Sequence, residues 1–226
     1  PLTARWATRW GMMDAPGERK IHHRVMPRSG GVAIFVAFVG TLVLGAAVLA
    51  VAFQADWHGE GLAPYRANLP GLVPRMAAIL GGLALMFGVG LLDDRFGLGP
   101  RLKLGAQIAS AVPLLVVGVR VDVFLQEWLP HGGAWAVGAA LTVGWVVLLT
   151  NAMNFLDNMD GLTGGVCVAM SLVLAGFSIL SGHVFMTAAY LALAGAVLGF
   201  LPSNWSPARL FMGDSGSLTI GYALAA

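Results

Sequence analysis

Three acidic clusters stand at the ends of long apolar runs in this chain of 226 residues. The first is the adjacent pair Asp93 and Asp94. Neighbouring carboxylates repel each other, and neighbours on a helix point about 100° apart, so the two do not easily share one role. A solvated helix end accounts for one of them; a metal or phosphoryl site uses both. In the second cluster Asn151, Asn154, Asp157 and Asp160 fall at successive i, i+3 steps, so a helical continuation would set them along one face. A row of carboxylates and amides suits a cation and a polar ligand. The two aspartates would otherwise raise each other's pKa, and a divalent ion offsets that. Turn chemistry alone accounts for Asn158 and Gly161.

The third cluster runs Phe211, Met212, Gly213-Asp214-Ser215-Gly216, Ser217. Gly-Asp-Ser-Gly also occurs around the nucleophile of chymotrypsin-like proteases, but those are soluble β-barrels, and no companion His and Asp stand in such a context here. The glycines let backbone approach an oxyanion, and a helix starting near Ser217 would offer its N-terminus to a phosphate. Asp214 would then hold a metal bridging those phosphates. A basic arm, Lys20, His22, His23, Arg24, Pro27, Arg28, Ser29, Gly30 and Gly31, leads into the first apolar run. The histidines lack companion ligands for a zinc site, and neither a P-loop nor a dinucleotide fingerprint is present. Arg101, Lys103 and Gln107 open another run, where cations either mark the cytoplasmic flank or hold a phosphate; spacing alone favours the flank.

The elements that must position these groups are membrane helices. The chain is 58% hydrophobic and 11% charged with mean hydropathy +0.79, outside the range of soluble domains. Apolar runs near 30–53, 76–92, 104–119, 134–150, 164–180 and 184–201, and a shorter one from Ser217, predict about seven spans in one integral-membrane catalytic domain covering 1–226. No strand alternation appears, so the expected fold is an all-α polytopic helical bundle. Pro1 at the start and an apolar run cut short at Ala226 read as a fragment of a longer chain. Cys167 is the single cysteine, a packing residue within an apolar run. With net charge +2 and no basic soluble domain, nucleic acid is not the partner. Gly195 and Gly199 form a small-xxx-small pair, read as packing within the bundle, with a homodimer as the alternative.

Alternating the loops sets Arg5, Arg9, Arg19, Lys20, Arg24, Arg28, Arg95, Arg101, Lys103 and Arg209 on one side and Arg66, Arg75 and Arg120 on the other. Ten against three makes the first side cytoplasmic. Asp93, Asp94, Asp157, Asp160 and Asp214 fall on that side without having been used to choose it. An ion-coupled transporter would be expected to place acids near mid-membrane, and a lipid-binding scaffold would not need three acidic clusters on one face.

These four pieces, in this order from His22 to Ser217, resemble the polyprenyl-phosphate N-acetylhexosamine-1-phosphate transferases, a family of multi-pass enzymes of the bacterial cytoplasmic membrane that includes phospho-MurNAc-pentapeptide transferase. The resemblance implies transfer of a sugar 1-phosphate from a UDP-N-acetylhexosamine to undecaprenyl phosphate, releasing UMP and initiating a cell-envelope polysaccharide, with Mg2+ as cofactor and Mn2+ as a substitute. It implies catalytic roles for Asp93, Asp94 and Asp157, one of the Asp93–Asp94 pair deprotonating or orienting the lipid phosphate. Asp214 matches the metal ligand, Asp160 an acid of the nucleotide pocket, and Phe211 the ring that stacks on uracil. Asn154 matches a polar residue beside the metal and diphosphate, His23 and Arg28 fall in the family's first cytoplasmic loop, which implies a phosphate-binding role, and Lys103 is a further candidate for substrate binding. Two departures are visible: Asn158 replaces a glycine common in relatives, and the family's last, His-rich loop lies beyond Ala226. The arm ending Pro27, Arg28, Ser29, Gly30, Gly31 is similar to the O-antigen and teichoic-acid initiators, which implies a UDP-N-acetylglucosamine-type donor; direct attack and an aspartyl-phosphate intermediate use the same carboxylates, and direct attack is favoured.

The charge partition yields a topological prediction. A cysteine placed at Gly59 in a Cys167→Ala background should react with an impermeant thiol reagent on intact cells, and one at Asn158 should not. Reversed labelling removes the cytoplasmic assignment.

Overall fold

The computed structural model describes residues 7, 9–14, 25–55, 69–122, 127 and 129–226. Each apolar run of the sequence forms a helix there. In chain order these are α1 (Gly30–Gln54), α2 (Leu69–Phe96), α3 (Pro100–Val116), α4 (His131–Leu156), α5 (Leu162–Leu180), α6 (Val184–Asn204) and α7 (Asp214–Ala225). Two two-residue strands, β1 (Met13–Asp14) and β2 (Met26–Pro27), pair antiparallel ahead of α1. The polytopic bundle expected from composition is the fold, with one refinement. Five helices, α1, α2, α4, α5 and α6, are long and apolar enough to cross a membrane. α3 has 17 residues, and α7 runs from Asp214 to Ala225 at the end of the given sequence.

α7 is the axis of the bundle. It packs on α2, α4, α1 and α5, and Ser215 to Tyr222 are all buried. Small residues on its neighbours make that possible. A Cβ at Gly90 of α2 would stand 2.5 Å from the carbonyl oxygen of Asp214, and one at Gly31 of α1 would overlap the Gly216 amide. Farther along, Gly82 leaves room for the Tyr222 ring, whose hydroxyl donates to the Ser110 carbonyl at 3.2 Å. Buried hydroxyls on these helices bond their own backbone one turn back, as Thr219 does to Ser215 and Thr142 to Gly138. These hydroxyls are thereby satisfied without water, as a membrane interior favours. The outward faces stay apolar: Val36, Val43, Leu44, Val48 and Val51 of α1 are all exposed.

Short connections set the site at one end of the bundle. α2 stops at Gly97, which has φ +65° and sends its N–H to the Asp93 carbonyl, and Pro100 restarts the chain at the first turn of α3. Asp93 and Lys103 therefore flank a tight corner. The first N–H groups of α1 are taken by the segment before α7, Gly30 donating to the Phe211 carbonyl at 3.0 Å and Gly31 to Met212 at 2.8 Å. Phe211 in turn donates to Pro27 at 3.0 Å, so β2, α1 and the entry to α7 are stitched together.

Gly90→Val should lower the thermal midpoint of the detergent-solubilised protein by the equivalent of about 1–3 kcal/mol or more, because α2 and α7 are forced apart. Gly81→Ala meets nothing within 4 Å and should leave the midpoint unchanged or raise it. Equal effects would show that the α2–α7 approach is not tight.

Candidate active site

The three acidic clusters meet where α2, α4 and α7 end or begin. Asp94, on the last turn of α2, is 7% exposed and points at the N-terminus of α7. Its Oδ1 accepts the Asp214 N–H at 2.8 Å and its Oδ2 the Ser215 N–H at 3.0 Å. Gly213, with φ +75°, makes the turn; a Cβ there would lie 2.7 Å from both Asp94 oxygens. The remaining early amides, those of Gly216 and Ser217, bond the Gly213 carbonyl at 3.0 Å each. This corrects the expected phosphate cradle. The helix starts at Asp214 rather than near Ser217, and the anion at its positive end is the chain's own Asp94.

Asp93, one residue earlier, takes a separate role, as adjacent helical carboxylates must. Its Oδ1 accepts from the Leu98 amide at 2.6 Å and its Oδ2 from Lys103 Nζ at 3.1 Å. Lys103 Nζ also reaches Asp214 Oδ2 at 3.0 Å, so one ammonium bridges carboxylates from α2 and α7. Burial alone would raise the Asp214 carboxyl, but hydrogen bonds with Asp93 and Lys103, the Lys103 charge and a hydrogen bond from Asn154 hold it below its ordinary value.

The second cluster does not form the row its spacing predicts. α4 ends at Leu156, so Asn151 and Asn154 are helical while Asp157 and Asp160 lie in the following turn. Asn151 forms a reciprocal amide pair with Gln107 of α3, at 2.7 and 3.3 Å, and Asn154 donates to Ser217 Oγ at 2.9 Å. Asp160 turns the other way and accepts the Ala208 N–H at 2.9 Å. Asp157 faces the other clusters: burial, followed by the charges of Asp214 and Asp94, pushes its carboxyl well above the ordinary value, with Arg28 and the Gly213 backbone opposing. The carboxylates that act on Asp157 thus come from α7 and α2.

A cavity of about 680 Å³ opens beside these groups. Arg28, Asp157, Asp160, Phe211 and Asp214, all singled out from the sequence, line it; Asp93 and Lys103 adjoin it through Asp214. Asp94 and Asn154 act from behind α7. His23 lies outside the described residues, with His22, Lys20 and Arg24. Sequence reasoning missed Asp14, Asn204 and the segment Ser206, Pro207, Ala208, which complete the lining. Asn204 accepts the Gly161 N–H and donates to the Leu210 carbonyl, both at 3.0 Å, strapping the turn after α4 to the chain before α7. An amide at the end of an apolar run was its only signal. On the other flank of α2 an apolar groove of about 500 Å³ is lined by Trp10, Met12, Leu85, Val89, Leu92 and Phe96 among others.

Among the described residues no group of three or more His, Cys, Asp or Glu forms a metal site by itself. Two carboxylates do converge, since Asp93 and Asp214 each bring an oxygen to the same ammonium. That donor set fits magnesium, which is typically held by one or two carboxylates together with waters and substrate phosphates. It does not fit a zinc cage.

Residues 76–226 match glycosyl transferase family 4. The chain is 33% identical over 227 residues to the probable undecaprenyl-phosphate N-acetylglucosaminyl 1-phosphate transferase of Bacillus subtilis, covering 100% of this chain and 57% of that protein. It is 36% identical over 234 residues to the decaprenyl-phosphate N-acetylglucosaminephosphotransferase of Mycobacterium tuberculosis, covering 97% and 54%. Against the phospho-N-acetylmuramoyl-pentapeptide-transferase of Moorella thermoacetica it is 34% identical over 176 residues, 68% of this chain and 53% of that protein. The chain spans little more than half the length of these relatives.

The geometry separates Asp94 from Asp93. Asp94→Ala removes two charge-assisted bonds to buried amides and should destabilise the detergent-solubilised protein by about 2 kcal/mol or more in thermal unfolding. Asp93→Asn, which keeps an acceptor for Leu98, should shift the midpoint much less. Identical midpoints would show that Asp94 does not hold α7.

Proposed function

The chain belongs to glycosyl transferase family 4, and on that footing we propose that it transfers N-acetylhexosamine 1-phosphate from a UDP-sugar to undecaprenyl phosphate, releasing UMP, at the cytoplasmic face of the bacterial membrane. The observation that carries this reading is the cavity itself. One end of it holds the gathered carboxylates Asp157 and Asp214, with Asp93 behind; its walls also carry Arg28 and the Phe211 ring. A nucleotide diphosphate needs these same parts: an aromatic face for the base, a guanidinium for phosphate, and carboxylates for a divalent ion. The relatives' names, which specify polyprenyl phosphate acceptors and N-acetylglucosamine phosphate transfer, supply the two substrates.

In this reading an oxygen of the acceptor phosphate forms a bond to the phosphorus that carries the sugar, and the oxygen bridging the two phosphorus atoms leaves with UMP. Both partners are anionic, so charge neutralisation and alignment supply most of the acceleration. Mg2+ held by Asp214 and Asp93 would neutralise the diphosphate when bound. Lys103 is placed to pass from these carboxylates to a substrate phosphate, because its ammonium already bridges them. Asp157 orients the attacking phosphate or takes its proton. Asp94 contributes by fixing the backbone of Asp214. Phe211 stacks on uracil, and Asp160, committed to the Ala208 amide, shapes the rim. The apolar groove beside α2 suits the hydrocarbon chain of the acceptor at the helix end that bears Asp93. N-acetylglucosamine is the preferred sugar; an N-acetylmuramoyl-pentapeptide donor is the alternative within the same superfamily.

The test is product formation by membranes containing the full-length protein, supplied with undecaprenyl phosphate and a panel of UDP-sugars that includes both donors. UMP release with a lipid-linked diphosphate sugar is expected. No product from any UDP-N-acetylhexosamine would overturn the function. Asp214→Asn keeps the side chain's shape but loses its charge, so its residual rate should fall at ordinary Mg2+ and recover partly at much higher Mg2+ or with Mn2+. A folded Asp214→Asn protein with wild-type turnover and Mg2+ response would remove the metal role.

A further inference from the structure

The polar cavity is lined by four carboxylates, Asp14, Asp157, Asp160 and Asp214, and by a single cationic side chain among the described residues, Arg28. An anionic ligand entering it therefore depends on where that guanidinium is held. Arg28 follows β2, and its own amide donates to the Met12 carbonyl at 3.0 Å, extending the ladder in which Met13 faces Pro27 and Asp14 faces Met26. With side chains alternating along each strand, Asp14, Met26 and Arg28 share one face of this hairpin, and Asp14 and Arg28 are diagonal neighbours across it. All three line the cavity. The Asp14 side chain is 10% exposed, and its Oδ1 lies 2.7 Å from Arg28 Nη2.

We infer that Asp14 is a positioning residue, whose carboxylate holds the Arg28 guanidinium in the cavity so that Arg28 can bind the diphosphate of the sugar donor. The inference rests on reading the cavity as a UDP-sugar site. Arg28 can serve both partners because a planar guanidinium carries five N–H donors, and the contact to Asp14 uses one end of it. Left alone, a long arginine side chain samples many rotamers. Fixing it beforehand removes part of the ordering cost from the binding step. The hairpin face sets the place and Asp14 sets the direction, while β2 itself is anchored by the Phe211 amide on Pro27. Asp14 touches no reacting atom in this scheme; its effect on the donor passes through Arg28.

A double-mutant cycle in the full-length enzyme tests this, with donor KM, acceptor KM and kcat measured for Arg28→Gln, Asp14→Asn and the pair. Arg28→Gln should raise the donor KM roughly tenfold or more, the loss expected for a charge-assisted contact to phosphate. Asp14→Asn should raise it severalfold with acceptor KM little changed, and Asp14→Glu should recover part of the loss. The double variant should have a donor KM no higher than Arg28→Gln alone, since the guanidinium that Asp14 holds for the donor is gone. Multiplying effects in the double variant would overturn the inference while leaving the transferase function intact. So would folded yields that collapse for both Asp14→Asn and Asp14→Glu while the surviving enzyme keeps a normal donor KM. Absence of transfer by the wild type would remove the function, and this inference with it.

Discussion

The carboxylate of Asp94 accepting the first two amides of α7 is the contact on which the rest of the site depends. A helix end buried in a bundle leaves several N–H groups without partners, and each is costly where water is absent. Asp94 satisfies two of them and places its negative charge at the positive end of the helix dipole. Gly213 then carries the residue-level cost of the turn, since its φ of +75° and the nearness of Asp94 exclude a side chain. Once α7 starts there, Asp214 must face Lys103 and Asp93, and Phe211 and Met212 must pass the N-terminus of α1. The cavity walls follow from one docked helix end.

The second constraint is electrostatic. Asp93 and Asp214 share one ammonium, Asp157 stands near Asp214, and Asp14 and Asp160 line the cavity with one guanidinium. Each cation is shared. Lys103 joins two carboxylates and Arg28 pairs with Asp14. A cavity with this surplus of negative charge is poorly suited to an anion arriving alone and well suited to an anion accompanied by a divalent cation. That asymmetry favours transferase chemistry over ion transport. So does the placement of the acids, which lie at helix ends on one end of the bundle rather than halfway along it.

Much of this was legible in the sequence, because hydrocarbon length and backbone satisfaction leave a membrane chain few choices. The positions of all seven helices follow from apolar runs, and the three acidic clusters marked the right end of the bundle. What could not be read was tertiary. The regular i, i+3 spacing of Asn151, Asn154, Asp157 and Asp160 implied a shared face, but Gly161 at φ +74° opens α5 and the intervening residues form a turn. Gly-Asp-Ser-Gly read as a phosphate cradle because its own letters do not reveal that Asp94, 120 residues earlier, fills it. Asp14 was invisible for a similar reason: an isolated acid acquires meaning only when a two-residue hairpin sets it diagonal to Arg28.

The glycine placement explains how α7 holds an active site steady. α7 makes its closest approaches through Gly31, Gly82 and Gly90 on two neighbouring helices and through Gly216 and Gly221 in itself. In a membrane the lipid is as apolar as a leucine, so helices associate through close packing and internal hydrogen bonds rather than hydrophobic exclusion. Close contact through these glycines therefore fixes α7 against α1, α2 and α4. Gly82, where the Tyr222 ring is seated, and Gly90, against Asp214 and Ser215, set α7 on α2 at two levels, the second beside the Asp94 cap. The chemistry is local to one end of the bundle, but its geometry is set along the whole of α7.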